Sequence, residues 1–62
     1  MKNYADVTMQ KGESIINFQF VFGFGSDMDI WEYTPNNYSN RKLVNDFDTR
    51  YHSLLEAGYV EI

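Results

Sequence analysis

The sequence contains no cysteine and a single histidine, His52. The absence of thiols excludes disulfides and thiolate metal sites, and one imidazole cannot hold a zinc ion alone. A single domain of 62 residues, spanning 1–62, buries too little surface for a robust core. Small domains compensate with disulfides, metals or a partner subunit. We therefore expect a homodimer with neither metal nor cofactor.

Positive charge is also scarce. Five Lys and Arg residues stand against nine Asp and Glu residues, which gives a formal net charge of −4. Domains that bind nucleic acids usually carry a basic surface, so we expect no direct contact with nucleic acid. An acidic chain suits a basic protein partner. The alternative is an acidic surface that only keeps a small protein in solution.

Long apolar segments are missing as well. No run approaches the roughly 18 apolar residues of a membrane span, and Met1-Lys2-Asn3 is not followed by the apolar segment of a secretory signal. We expect a cytoplasmic protein that does not enter a membrane.

Three segments alternate between apolar and polar residues with the period of a half-buried strand. They cover residues 4–10, 14–24 and 28–34, and turns are predicted at 11–13 and 25–27. The second segment gives the strongest signal because its aromatic and aliphatic side chains share one face: Ile16, Phe18, Phe20, Phe22 and Phe24.

A helical stripe follows the polar loop 35–40. Its apolar residues recur at the spacing of one helix face: Leu43, Val44, Phe47, Tyr51, Leu54 and Leu55. Ser39 or Asn40 is the predicted cap, and Gly58 the predicted C-terminal stop. Residues 59–62 could add a short strand. The predicted class is α+β, with a three-stranded antiparallel sheet, a possible fourth C-terminal strand and one long helix packed on it.

Catalysis is not expected. His52, Asp48 and Ser53 have the side chains of a triad, but they follow one another on a single predicted helix. A nucleophile and its base also need an orienting group and an oxyanion site. An exposed helical histidine is the favoured interpretation, and we expect the protein not to be an enzyme.

The aromatic second strand raises another possibility. RNA-recognition domains stack bases on the aromatic side chains of a sheet, so this strand could bind single-stranded nucleic acid. Such surfaces also need cations along the nucleic-acid backbone, and this chain has few. A core-facing strand is the favoured interpretation.

Carboxylates are the remaining functional candidates. Residues two apart on a strand, such as Asp27 and Asp29, lie about 6.6 Å apart, and a DNA strand carries one phosphate per about 3.4 Å of helix axis. Such a row could imitate phosphates. The candidates are Asp29 and Asp27 in this row, extended by Glu13, Glu32, Asp46, Asp48 and Glu56. The alternative is a scattered, solvated acidic surface.

Three local motifs occur in the order found in one known family. Asp6-Val7-Thr8-Met9, Trp31-Glu32-Tyr33 and Asp46-Phe47-Asp48-x-x-Tyr51 are similar to motifs of the small uracil-DNA glycosylase inhibitors of protein-primed Bacillus podophages. The matches cover roughly a quarter of the chain. The segment between the first and third motifs is longer here and contains an extra aromatic strand.

The resemblance implies a homodimeric phage protein acting in the host cytoplasm. Family members block the DNA-binding cleft of uracil-DNA glycosylase by DNA mimicry, and the dimer forms an apolar pocket for a side chain of the enzyme. By position, Phe47 would line the pocket, Tyr51 would lie one turn further, and Asp48 would supply a phosphate-like charge. The alternatives are inhibition of another nucleic-acid enzyme or defence nuclease, and a small protein without an interaction role.

Overall fold

The computed structural model describes residues 5–22 and 27–62. These residues form one antiparallel sheet of five strands with a single helix, which confirms the α+β class. The strand order across the sheet is β4-β3-β2-β1-β5. In chain order the elements are β1 (Val7–Lys11), β2 (Ser14–Phe22), β3 (Met28–Tyr33), a 3-10 turn (Tyr38–Asn40), β4 (Lys42–Leu43), α1 (Phe47–Glu56) and β5 (Val60–Glu61).

The three predicted strands form the centre of the sheet. β1 and β2 are joined by a tight turn in which Gly12 has φ of 60°, a conformation that favours glycine. β2 pairs with β3 from Asn17 opposite Tyr33 to Phe22 opposite Met28. The possible C-terminal strand is present as β5, which pairs with β1. The predicted strand ends at Tyr4, Gly23 and Phe24, and the turn at 25–26, lie outside the described residues.

The core lies between the sheet and α1. Met9 and Phe18 are fully buried, and Leu54 of the helix is nearly so. Ile16, Phe20 and Ile30 pack against this cluster from the sheet. The predicted apolar face of β2 is therefore the face that α1 covers. No helix of the described residues covers the opposite face of the sheet, which we call the open face.

The predicted start of the helix is wrong. Ser39 and Asn40 do not cap it, because they belong to the 3-10 turn, where the Asn40 side chain donates to the Asn37 side chain at 2.8 Å. Leu43 pairs with Trp31 as part of β4. The helix instead begins at Phe47 after the cap residue Asp46, and it has ten residues.

The helix runs antiparallel to β2, from the β2–β3 hairpin towards the β1–β2 turn. Its first residue, Phe47, contacts Phe20. At its other end the Lys11 Nζ donates to the Ala57 carbonyl oxygen at 2.6 Å. Gly58 follows with φ of 101°, which confirms the predicted glycine stop. The pair Phe22 and Met28 of β2 and β3 therefore lies beyond the start of α1.

Candidate partner-binding surface

Phe47 lies at the junction of the helix and the hairpin. Its ring meets Phe18 and Phe20 edge-on, with centroids 5.0 Å and 5.2 Å away. Such aromatic pairs add about 0.5–1.5 kcal/mol beyond simple burial. The side chain is only half buried. Phe47 therefore contributes to the core while part of its ring remains accessible.

Tyr51 lies one helical turn after Phe47, and the two ring centroids are 5.7 Å apart. Its hydroxyl donates to the Glu61 Oε1 at 2.9 Å. That hydrogen bond raises the pKa of Tyr51, because the carboxylate stabilises the protonated phenol. The contact also fastens α1 to β5, so Tyr51 has a structural role in addition to any contact with a partner.

Asp46 caps the helix. Its carboxylate accepts from the Thr49 hydroxyl at 2.8 Å and from the Thr49 backbone N–H at 3.2 Å. These hydrogen bonds, the hydroxyl first, lower the pKa of Asp46. Asp48 lies in the first helical turn, where the helix dipole favours negative charge. Its carboxylate is exposed and makes no hydrogen bond or ion pair within the described part of the chain.

Glu32 is paired inside the molecule. Its two carboxylate oxygens accept from Arg50 Nε and Nη2 at 2.8 Å and 2.9 Å, a two-point contact between the sheet and α1. The contact raises the pKa of Arg50. The Glu32 side chain is only 18% exposed. Since its charge is compensated and partly covered, Glu32 offers little negative potential to a partner.

Two more of the predicted residues, Asp29 and Glu13, lie far from one another. Asp29 is exposed on β3, next to Met28 and near the end of the hairpin. Glu13 is exposed in the β1–β2 turn, at the end where α1 stops. The structure thus brings Phe47, Asp46, Asp48 and Tyr51 together, puts Asp29 at the same end, and separates Glu13 from them.

The charges divide between the two ends of the sheet. All five aspartates lie at the level of Phe20 or nearer the hairpin end: Asp6, Asp27, Asp29, Asp46 and Asp48. The described Lys and Arg residues lie at the level of Glu32 or beyond it, together with the glutamates, except that the Arg41 guanidinium reaches back over the Trp31 ring: Lys11, Arg41, Lys42 and Arg50. We call the first region the aspartate end. Among the described residues it holds no positive side chain.

Two exposed apolar side chains occupy the aspartate end. Phe22 is 76% exposed and Met28 is 45% exposed. They are direct partners in the β2–β3 register, on the same side of the sheet as Phe18 and Phe20. They are uncovered because α1 begins beside Phe20. The alternation in the sequence identified the face of Phe22 but not its exposure.

The open face carries a cluster of aromatic side chains around one arginine. The Arg41 guanidinium lies 4.9 Å from the Trp31 ring centroid and 4.6 Å from that of Tyr38. Tyr33 meets Tyr38 edge-on at 4.8 Å, and the Tyr38 hydroxyl donates to Gln19 Oε1 at 2.7 Å. Burial, more than the nearby charges, raises the pKa of Tyr33. No sequence pattern indicates this cluster, because the loop brings Arg41 and Tyr38 back over β3.

The described residues form neither a cluster of metal ligands nor a membrane-spanning helix. Within residues 5–22 and 27–62, no three His, Asp or Glu side chains are grouped as metal ligands. The only α-helix of that part is too short to cross a membrane.

A groove of about 230 Å³ beside the loop is lined largely by polar side chains: Ile16, Glu32, Tyr33, Thr34, Asn37, Asn40 and Lys42.

Comparison with known proteins identifies no relative of this chain. No protein-family model matches the chain, and no curated protein and no solved structure matches it.

Proposed function

We propose that this protein is a phage-type inhibitor that blocks the DNA-binding cleft of host uracil-DNA glycosylase by imitating DNA, without catalysing a reaction. The observation that carries the proposal is the aspartate end, where one end of the sheet carries both acidic side chains and an accessible apolar strip. The proposal also draws on the motif resemblance, whose helical part, Asp46-Phe47-Asp48-x-x-Tyr51, begins at that end.

The charge distribution would orient the protein during encounter. A basic cleft attracts the aspartate end. It does not attract the rest of the molecule, where the glutamates are balanced by Lys and Arg side chains. Such complementarity accelerates association and selects partners more than it raises affinity. Asp27, Asp29 and Asp48 fit this role best, because each is exposed and its carboxylate has no polar partner among the described residues.

Affinity requires apolar contact as well. Interface energy is concentrated in a few anchors, aromatic ones prominent among them, which are surrounded by polar groups. Phe47 has this setting: its ring is half exposed, its position is fixed by Phe18 and Phe20, and Asp48 follows it directly. The proposed complex places the accessible part of Phe47 against an apolar side chain of the enzyme.

Self-association is part of the proposal. Only three hydrophobic side chains of the described residues are buried, which is a small core. Apolar side chains are exposed elsewhere, among them Leu43 on the open face and Leu55 on the helix. We propose a homodimer that covers part of this surface and functions in the host cytoplasm.

A second candidate target is another nucleic-acid enzyme or a defence nuclease, because acidic side chains around an apolar strip suit many basic clefts. Binding of single-stranded nucleic acid by the β2 phenylalanines has less support. Phe18 is fully buried under α1, and Phe20 packs against Phe47, so neither ring is free to stack on bases. Phe22 is exposed, but it lies at the aspartate end, whose charge repels phosphates.

The decisive experiment is an inhibition assay. A purified bacterial uracil-DNA glycosylase is mixed with the protein, and excision of uracil from DNA is followed. We expect excision to stop at about one dimer per enzyme. Undiminished excision at a tenfold excess would eliminate this target. Inhibition of an unrelated nuclease in a parallel assay would then favour the second candidate.

A further inference from the structure

Phe22 and Met28 form an uncovered extension of the core. The two side chains face each other across β2 and β3 on the helix side of the sheet. Phe22 is the most exposed large apolar side chain among the described residues, at 76%. A contiguous apolar patch bordered by polar groups is typical of an interaction site.

The pair is continuous with Phe47. Phe20 precedes Phe22 by two residues, on the same face of β2, and its ring contacts Phe47 at 5.2 Å. Residues two apart on a strand are separated by about 6.6 Å. Phe47, Phe20, Phe22 and Met28 thus form one apolar strip that leads from the start of α1 to the end of the hairpin.

The end of the sheet that carries the strip is acidic. Asp46 and Asp48 flank Phe47 in sequence, and Asp27 and Asp29 flank Met28, although Asp29 faces the open side of the sheet because side chains alternate along β3. Within the described residues, the carboxylates of Asp27 and Asp29 make no hydrogen bond or ion pair. Charge complementarity therefore favours an occupant with basic side chains around its own apolar contact.

We propose that the β2–β3 hairpin is a second contact arm of the inhibitor, in which Phe22 and Met28 bind the basic cleft of the target enzyme beside Phe47. The inference rests on the proposed function and extends the contact surface to a segment outside the family-like motifs. A second copy of the chain is a poor occupant, because it would bring two aspartate ends together, and like charges in contact oppose association.

The test uses the full chain and a purified bacterial uracil-DNA glycosylase. Phe22→Ser and Met28→Ser each remove one side chain of the pair. Ile62→Ser is the matched control, because Ile62 is 69% exposed and lies at β5, on the far edge of the sheet. Inhibition constants are measured for all four proteins at one salt concentration. Sedimentation and circular dichroism report the oligomeric state and the fold of each.

We expect Phe22→Ser to weaken inhibition about tenfold or more and Met28→Ser to weaken it by a smaller factor, as for apolar anchors in an interface. Ile62→Ser should match the wild type. As a second measurement, a photo-crosslinking residue at position 22 should form an adduct with the enzyme, and the same residue at position 62 should not.

Three results would overturn the inference. If the wild type inhibits and Phe22→Ser inhibits equally, the hairpin is not a contact arm, although the proposed function stands. If Phe22→Ser converts a dimer into a monomer, the pair is covered by a second copy. If the wild type itself leaves excision unchanged, the proposed function fails and the inference fails with it.

Discussion

The ring of Phe47 stands edge-on against the ring of Phe18, with centroids 5.0 Å apart and ring planes at 89°. Phe18 is fully buried in β2, whereas Phe47 begins α1 and is half exposed. The helix start, which carries the acidic motif, is thereby fixed directly to the centre of the core. In the proposed complex, stability and binding are therefore coupled at this position.

Phe47→Ala should reduce both properties. Loss of a largely packed aromatic ring is expected to lower the free energy of unfolding by about 2–4 kcal/mol and to remove most of the inhibition of the glycosylase. Leu54→Ala is the control, because Leu54 is buried in the same helix and cannot contact a partner directly. At a temperature where both variants remain folded, equal inhibition by the two would show that Phe47 acts through stability alone.

Asp48→Asn should weaken inhibition at low salt, and the effect should shrink as salt rises. Between about 0.1 M and 1 M salt the Debye length falls from about 10 Å to about 3 Å, which screens an exposed charge. Glu56→Gln is the control, because Glu56 is an exposed carboxylate at the other end of the same helix. Inhibition constants of both variants across the salt range test the prediction. An equal effect of Glu56→Gln would contradict a role for the aspartate end.

The hydrogen-bonded carboxylate of Asp46 should cause the stability of the fold to decrease at acidic pH. Its pKa is lowered in the folded state by the hydrogen bonds from Thr49. The stabilisation is therefore complete above the unfolded pKa of about 3.9 and is lost as the pH falls through the folded value. Thermal unfolding followed from pH 7 to acid should show this decline. In Asp46→Asn, which keeps a capping side chain without the charge, the decline should be smaller. Asp46→Ala should be less stable already at pH 7.

Glu32→Gln should change both the stability of the fold and the inhibition of the enzyme only slightly. The Glu32–Arg50 pair joins β3 to α1, but Arg50 is 40% exposed, and ion pairs that reach solvent contribute about 0–1 kcal/mol. We expect a small fall in unfolding free energy by chemical denaturation and nearly unchanged inhibition, because the charge of Glu32 is already compensated. A loss of inhibition as large as that of Asp48→Asn would instead make Glu32 a contact residue.

The protein should not bind nucleic acid directly. At physiological salt we expect no measurable retention of single- or double-stranded DNA or RNA, because the aspartate end repels phosphates and the cations at the other end are matched by glutamates. Equilibrium binding of labelled oligonucleotides tests this. Salt-sensitive binding of a single strand that Trp31→Ala abolishes would contradict the prediction and assign base stacking to the open face.

The central hairpins were predictable because their signals are local. Strict alternation through Ile16, Phe18 and Phe20 identified the face that α1 covers. The start of the helix was not predicted correctly. Leu43 and Val44 continue the helical spacing of Phe47, yet Leu43 pairs with Trp31, and the Val44 N–H donates to the Ile30 carbonyl oxygen at 2.8 Å. A two-residue strand is too short to show any period.

The candidate site was predictable only in part. Asp46, Phe47 and Asp48 adjoin one another in sequence, so their grouping needed no tertiary information. The Glu32–Arg50 pair and the separation of Glu13 from Phe47 depend on how the helix crosses the sheet. The aspartate end likewise joins residues from three distant segments, and it becomes visible only when the register of β2 and β3 is known.

The lengths of the outer strands have a consequence for behaviour at high concentration. β2, with nine residues, lies in the middle of the sheet and is paired on both sides, whereas the outer strands β4 and β5 have two residues each. So short an edge offers few free backbone groups to an incoming strand, and each carries a charged residue, Lys42 or Glu61. The native protein should therefore be a poor template for cross-β fibrils, even though the most amyloid-like segment of its sequence forms the centre of its fold.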